Sequence, residues 1–223
     1  GKITYDPVVT ATASDQAISE NNLLSNSPIV AGVDYKVSEL IKMLFVPSSS
    51  AAVIMLANLV TDNDPDKFLD LMNQYAQEMG MTNTKWNNPN GAMISVLQGH
   101  YNPQHHDLNA NNEITARDMS ILAYHIVNDL PEMLEYTKQA HTTIMKGTPY
   151  EQSYDNYNTS LEGGKFELKG TDGLKTGSSP TADYNYTATT KRGKQRIIEV
   201  ILGVGNYDVE IAESYRNQIG NTL

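Results

Sequence analysis

The chain has 223 residues, 39% hydrophobic and 19% charged, which is enough for one sizeable core and is the composition of a globular rather than a disordered protein. Acidic residues (26) outnumber basic ones (16) and leave a formal charge of −10, which argues against nucleic-acid binding because phosphate neutralisation needs a basic face. The absence of cysteine removes disulfides, thiol catalysis and cysteine-ligated metal sites together. No run approaches the ~20 apolar residues of a membrane span, and the opening GKITYDPVVTA has no apolar core of the signal-peptide kind.

Residues 1–36 read as irregular and extended. From Val37 to Val46 the residues Val37, Leu40, Ile41, Leu44 and Phe45 recur at helical spacing, and Pro47 stops that helix. The serines 48–50 follow, and AAVIMLANLV predicts a second helix, apolar nearly all round and therefore buried. Between Asp64 and Gly80 an N-cap, a first-turn proline and a terminal glycine agree on a third helix, with Phe68, Leu71, Met72, Tyr75, Ala76 and Met79 as its apolar stripe.

Residues 81–113 read as loop, with Trp86 as an anchor. Thr115 and Asp118 have the spacing of an Asp version of the capping box, opening a helix whose buried face is Met119, Leu122, Ala123, Ile126 and Val127. Pro131 begins a further short helix running to Tyr136. After Lys169 the period becomes extended. The stretch TDGLKTGSSP (171–180) enters a strand between turn signals, and two more strands flank KRGK (191–194) as an antiparallel hairpin. The segment from Val209 to Leu223 predicts a closing helix. Helices first and strands afterwards make an α+β layout, one domain over 1–223, with a helical part at about 37–140 and a sheet part at about 165–223.

Three places carry candidate chemistry. Lys175, Thr176, Gly177 and Ser178 put a cation, hydroxyls and a residue without a side chain along one strand, which suits an anionic ligand lying beside it. An exposed lysine entering a strand, with a glycine permitting twist, explains the same residues. Ser48, Ser49 and Ser50 precede an apolar helix, where serine is an ordinary N-cap. His105, His106 and Asp107 are neighbours on a polar loop. Adjacent histidines lack metal-ligand spacing, and no HExxH helix occurs, so no metal and no cofactor is expected. The nine methionines fall mainly on helical stripes and read as core filler.

Taken jointly, these stretches resemble one family. DGLKTGSS (172–179) followed by ADYNYTATTKRGKQRIIEVILGVG (182–205) is similar to the Lys-Thr-Gly strand and hairpin of low-molecular-weight penicillin-binding proteins, the serine-type D-alanyl-D-alanine carboxypeptidases. VSELIKMLFVPSSSAAVIMLANLV (37–60) resembles their Ser-x-Asn segment, and MGMTNTKWNNPNGA together with ITARDMSILAYHIVNDLPEMLEYT resembles their mid-domain loop and helix. SLEGGKFELKGTDGLKTGSS is especially like the Gram-positive members. The order is consistent over nearly the whole chain.

The resemblance implies a penicillin-recognising fold, with a helical subdomain and an antiparallel sheet. It implies an acyl-serine reaction on the D-Ala-D-Ala end of peptidoglycan stem peptides and acylation by β-lactams, with Ser48 as proton relay and Lys175 as electrostatic, carboxylate-binding lysine. Ser50, Thr176, Gly177 and Ser178 would contact substrate. An extracellular, cell-surface location follows from where that substrate lies, with any membrane anchor outside this chain.

Two departures qualify the picture. No Ser-x-x-Lys occurs in the 223 residues, and SELIK (38–42) has one residue too many. In the family that motif lies upstream of a segment like residues 1–13, so the expectation is a chain lacking the nucleophile, its lysine and the first sheet strands, and inactive alone. The strand at 196–204 would then be a long apolar edge, open to pairing with an N-terminal segment or another chain. Secondly, Ser50 stands where the family has asparagine and offers one hydroxyl in place of a carbonyl and an amine. The rival readings are a non-catalytic module binding cell-wall peptides and a serine β-lactamase, for which no water-activating base is apparent.

Overall fold

The computed structural model describes residues 7–209 and 211–222. The start of the 1–13 segment and the last residue of the expected closing helix lie outside them. The region expected to be irregular at the N-terminal end is ordered into β1 (Val8–Thr10), α1 (Ala13–Ser19) and β2 (Asp34–Lys36), with β1 and β2 paired antiparallel. A full capping box explains α1. Thr12 Oγ1 accepts from the Asp15 amide while the Asp15 carboxylate takes the Thr12 amide at 2.8 Å.

Four further helices follow: α2 (Val37–Phe45), α3 (Ser50–Thr61), α4 (Pro65–Glu78) and α5 (Ala116–Asp129). Asp64 caps α4 through the Lys67 amide at 2.9 Å, and Gly80 takes the left-handed turn at φ 82° that closes it. Its burial differs from the expected stripe: Leu69 and Ala76 are the buried residues, whereas Tyr75 is 59% exposed. At α5 the capping box is only half formed. Thr115 accepts from the Asp118 amide, but the buried Asp118 carboxylate instead takes the Asn83 amide and the Thr84 hydroxyl, both at 2.8 Å, and so holds the preceding loop.

That loop is irregular apart from a 3-10 turn at Ile94–Leu97 and a bridge between Lys85 and Glu113. Side-chain amides organise it. Asn73 of α4 clasps the Trp86 backbone from both sides, donating to its carbonyl and accepting from its amide, and Asn112 accepts the amides of Asn87 and Asn88.

The short helix α6 (Leu134–Thr137) leads into an unforeseen hairpin, β3 (His141–Ile144) with β4 (Gln152–Asp155). Then come β5 (Thr171–Ser179), β6 (Asp183–Arg192) and β7 (Gln195–Val204), an antiparallel sheet in the order β5-β6-β7, and the closing helix α7 (Ala212–Gly220). The β6–β7 loop has two residues, with Gly193 at φ 61° as that tight turn requires.

The main core joins α1–α4 to both small ribbons. Ile18, Ile29, Tyr35, Leu40, Met43, Ile54, Met55, Leu69 and Ile144 are all essentially buried in it. The sheet is covered more thinly. Leu174 packs with Ala123 and Leu134, and Tyr186, Ala188 and Ile201 form a second small cluster. Among the described residues β7 is an edge strand, with Ile197 61% exposed, as expected for the stretch 196–204. No helix among the described residues is long and apolar enough to cross a membrane.

Candidate active site

The serine run sits on a tight turn between α2 and α3, held on all sides by backbone bonds. Buried Val46 and Pro47 end α2, the Ser49 amide donates to the Met43 carbonyl at 2.8 Å, and the Ser50 amide donates to the Ser25 carbonyl at 2.9 Å. Ser49 is the N-cap, accepting the Ala52 amide at 3.4 Å, and Asn26 Oδ1 accepts the Ala51 amide at 3.0 Å. The free amides at the start of α3 are thus satisfied locally.

Ser48 is the residue this bracing singles out. Its φ of 56° lies in the left-handed region that a non-glycine residue seldom adopts, and its side chain is half-buried. Such strain persists only where the surroundings impose it, and here the flanking bonds do so. The helix cap, which is the ordinary use of such a serine, is performed by Ser49. Ser50 is the first residue of α3 and only 6% exposed. Asn26, on a loop far upstream, is part of this turn, and nothing in its sequence neighbourhood signals that.

The second element is β5, an edge strand whose far side has no neighbouring strand among the described residues. Lys175 pairs in register with Thr187, Thr176 with Tyr186, Gly177 with Asn185 and Ser178 with Tyr184. Lys175 Nζ donates to the Thr176 carbonyl at 2.7 Å. Burial of the amine, reinforced by the nearby Arg216 guanidinium, pulls Lys175 from the ordinary 10.5 down to about 8. Thr176 is buried, whereas Gly177 and Ser178 are exposed. Nothing lies within 4 Å of where a Gly177 Cβ would stand, so packing within the chain makes no demand for glycine there.

Arg216 was not singled out from the sequence. On α7, and 2% exposed, it reaches the Gly177 carbonyl at 3.5 Å and Glu213 at 3.0 Å, and lies over the Tyr184 ring at 5.5 Å. Its Nε is buried with no hydrogen-bond partner among the described residues. Burial lowers its pKa, but an arginine remains charged. The only advance signal is an arginine in a helix of otherwise ordinary pattern, and the packing of α7 on the sheet is what brings it behind β5.

No hydrogen bond among the described residues links Ser48 or Ser50 to Lys175, Thr176 or Ser178. The two elements are joined at one remove: α2 packs on α6, and α6 on β5, where Thr137 Oγ1 donates to the Asp172 carbonyl at 2.8 Å. At the other end of β5, Thr181 donates to Asn111 of the amide-organised loop at 3.4 Å. His105 and His106 stand apart from both, against α4: the His105 amide donates to Asp66, and His106 Nε2 is 3.4 Å from Asp70. No group of three or more metal-ligating side chains occurs among the described residues.

The chain's similarity to known proteins runs along this whole arrangement. The profile of peptidase S11, D-alanyl-D-alanine carboxypeptidase, matches residues 1–206. The D-alanyl-D-alanine carboxypeptidase DacC of Escherichia coli (strain K12) is 28% identical over 217 residues, covering 96% of this chain and 48% of that protein. The corresponding DacF of Bacillus subtilis (strain 168) is 30% identical over 182 residues, 77% of this chain and 39% of that one. The chain therefore spans half or less of the length of these curated relatives.

Among solved structures, a peptidoglycan synthesis regulatory factor (PBP3) from Streptococcus pneumoniae aligns with a TM-score of 0.87 and 27% identity over 100% of this chain and 59% of its own. Penicillin binding protein 5 from Haemophilus influenzae aligns with a TM-score of 0.76 and 28% identity over 100% of this chain and 58% of its own. With the helical body, the antiparallel sheet and the Lys-Thr-Gly strand in matching order, the chain belongs to the D-alanyl-D-alanine carboxypeptidase family of serine peptidases.

Proposed function

We propose that this chain forms two of the three walls of a serine D-alanyl-D-alanine carboxypeptidase active site acting on peptidoglycan stem peptides at the cell surface. The observation that carries this reading is the pair of cations at an open strand edge: Lys175, half-buried with a depressed pKa, and Arg216, fully buried behind Gly177. Glu213 pairs with Arg216 on the α7 side, but no carboxylate among the described residues pairs with Lys175, so an anion at the strand edge would relieve its repulsion from Arg216. A terminal carboxylate lying along β5 is such an anion, with the Thr176 and Ser178 hydroxyls as donors. The same slot suits the carboxylate of a β-lactam.

In that reaction the nucleophilic serine attacks the carbonyl of the D-Ala-D-Ala bond. Its proton passes to the departing D-Ala amine through an acid–base group, the acyl-serine forms, and water then releases the shortened peptide. Ser48, on its constrained turn, is the group that would relay that proton. Lys175 supplies a positive field that favours the developing oxyanion and holds the carboxylate. Ser50 offers one hydroxyl where an asparagine would offer both a carbonyl and an amine. The Ser-x-x-Lys that would supply nucleophile and partner lysine is not among the 223 residues.

Intact mass spectrometry with benzylpenicillin tests the proposal. The 223-residue chain alone is expected to gain no mass. A protein joining it to a family Ser-x-x-Lys segment is expected to gain one penicilloyl group, and to lose that gain on Lys175→Ala. A joined protein that folds but is not acylated would favour the binding module. Acylation of the chain alone would place the nucleophile elsewhere.

A further inference from the structure

The ladder between the Lys-Thr-Gly strand and β6 shifts register once, and the shift is bolted in place. Along β5 the register with β6 runs from Thr171 opposite Thr190 directly to Gly173 opposite Thr189, leaving Asp172 as the bulged residue without a ladder partner. Its carboxylate receives a two-pronged bond from Arg196 of β7, Nη1 to Oδ1 at 2.7 Å and Nη2 to Oδ2 at 2.8 Å. The same Nη1 is 2.7 Å from the hydroxyl of Thr189, which is completely buried on β6. One guanidinium therefore ties all three strands at a single level.

The side chains of the pair are only 21% and 24% exposed. A forked, partly buried pair of this kind is both stronger and more direction-fixing than a surface ion pair. The backbone at the same point is gripped from the other side. Thr137 donates to the Asp172 carbonyl at 2.8 Å, Asn158 donates to the Gly173 carbonyl at 3.4 Å, and a Cβ on Gly173 would stand 2.5 Å from the Thr137 hydroxyl.

We infer that Asp172 and Arg196 are positioning residues, setting the register and rigidity of the strand that presents Lys175, Thr176 and Gly177. The inference takes from the proposed function that β5 is the substrate-binding strand. Its physical basis is the edge position of β5. A strand with a neighbour on one side only is held by a single ladder, and a slip by one residue would turn Lys175 to the opposite face. The bulge is where such a slip would begin, and it lies three residues before Lys175. Among the described residues, Arg196 is the one group that clamps it across the whole width of the sheet.

The test compares the 223-residue chain with Asp172→Asn, Arg196→Gln and Arg196→Lys, and with Asp66→Asn as a control that removes a carboxylate bonded to the loop at 104–105. Two quantities are read for each: amide hydrogen exchange of residues 173–179, and the pH profile of Lys175 labelling by an amine-acylating reagent, located by peptide mass. Asp172→Asn and Arg196→Gln are expected to speed exchange in 173–179 by about tenfold or more relative to β6–β7 peptides, and to move the Lys175 midpoint from about 8 towards that of an exposed lysine. Arg196→Lys keeps the charge without the fork and is expected to fall between, and it serves if a neutral variant does not fold. Asp66→Asn is expected to lower the melting temperature with neither change.

Exchange in 173–179 that rises no more than in the control would overturn the inference and leave the pair a general stabiliser. The proposed function fails separately. A wild-type Lys175 that titrates like a surface lysine counts against an enclosed anion site, whatever the exchange data say about the clamp.

Discussion

The serine turn and the lysine strand are built on opposite principles. Ser48 and Ser50 rest on the largest core among the described residues, where α1–α4 and two ribbons bury Leu40, Met43, Ile54 and Met55 completely or nearly so, and the turn's geometry is dictated by bonds from its amides to the Met43 and Ser25 carbonyls and the Asn26 side chain. Lys175 rests on a three-stranded sheet with two small apolar clusters and is surrounded by charge: Arg216 behind Gly177, and the Asp172–Arg196 clamp at the strand's start. One wall is positioned by packing and the other by electrostatics. The first should respond to the loss of methylene groups, the second to pH and to neutral substitutions.

The widest separation of the two comes from core truncation. Ile54→Ala, at a site with no exposure in the main core, is expected to cost about 3–5 kcal/mol. Ile201→Ala, on edge strand β7 and 8% exposed, should cost about 1–2 kcal/mol, since the edge can relax around the loss. Urea denaturation of both variants measures the contrast, and equal costs would remove it.

Lys175→Met probes the charged wall, with the opposite sign. Removing a desolvated cation that stands beside Arg216 should stabilise the chain by about 1–3 kcal/mol at pH 7, less the hydrogen bond to Thr176. The pH dependence follows from the same shift. Below about 8 the lysine is charged in both folded and unfolded states, and its full penalty is present. Between about 8 and the ordinary 10.5 the unfolded chain holds a proton that the folded one has released, so stability rises with pH, and above 10.5 the penalty is gone. A chemical-denaturation series from pH 7 to 10.5 should show that rise in the wild type and its loss in Lys175→Met. A flat wild-type profile would mean that the amine is hydrated.

Smaller effects test the serine turn. Ser49→Ala removes the N-cap of α3 and should lower stability by about 1 kcal/mol, with Asn26→Ala similar because it also strips the Ala51 amide of its acceptor. If both leave the melting temperature unchanged, the turn is held by its backbone bonds alone. Smallest is Ser50→Asn in a protein that includes the Ser-x-x-Lys segment. One regained substrate contact worth about 0.5–1.5 kcal/mol should raise the rate of β-lactam acylation by about two- to tenfold. An unchanged or slower rate would mean that the buried Ser50 site has no room for the longer amide.

Much of this layout was legible in the residues, because local signals there agreed with the final packing. Pro47 ends α2, Asp64, Pro65 and Gly80 bound α4, and KRGK makes a two-residue turn between β6 and β7, each by short-range chemistry. The misses share a cause. Tyr75 lies on the apolar stripe of α4 yet faces solvent, because the direction a helix turns is chosen by what packs on it. The β3–β4 hairpin is polar and short, and it gains its stability from a distant core through Ile144 and Tyr154. Asp118 has the spacing of a capping box, but its carboxylate finds better donors 34 and 35 residues away.

The sequence by itself determined the order of α2 to α5, β5 to β7 and α7, the serine run, the Lys-Thr-Gly-Ser strand and the lack of a Ser-x-x-Lys among the 223 residues, since motifs and caps are properties of neighbouring residues. Only the tertiary structure decided that Ser48 is strained while Ser49 does the capping, that Arg216 stands buried behind Gly177, and that Arg196 reaches across β6 to Asp172. Arg216 and Arg196 have partners 39 and 24 residues away, and the serine turn adds Ser25 and Asn26, 25 residues from the amides they accept, to its short-range bonds with Met43 and Ala52; the long distances are closed by burial of the core and the sheet faces, which no local pattern encodes.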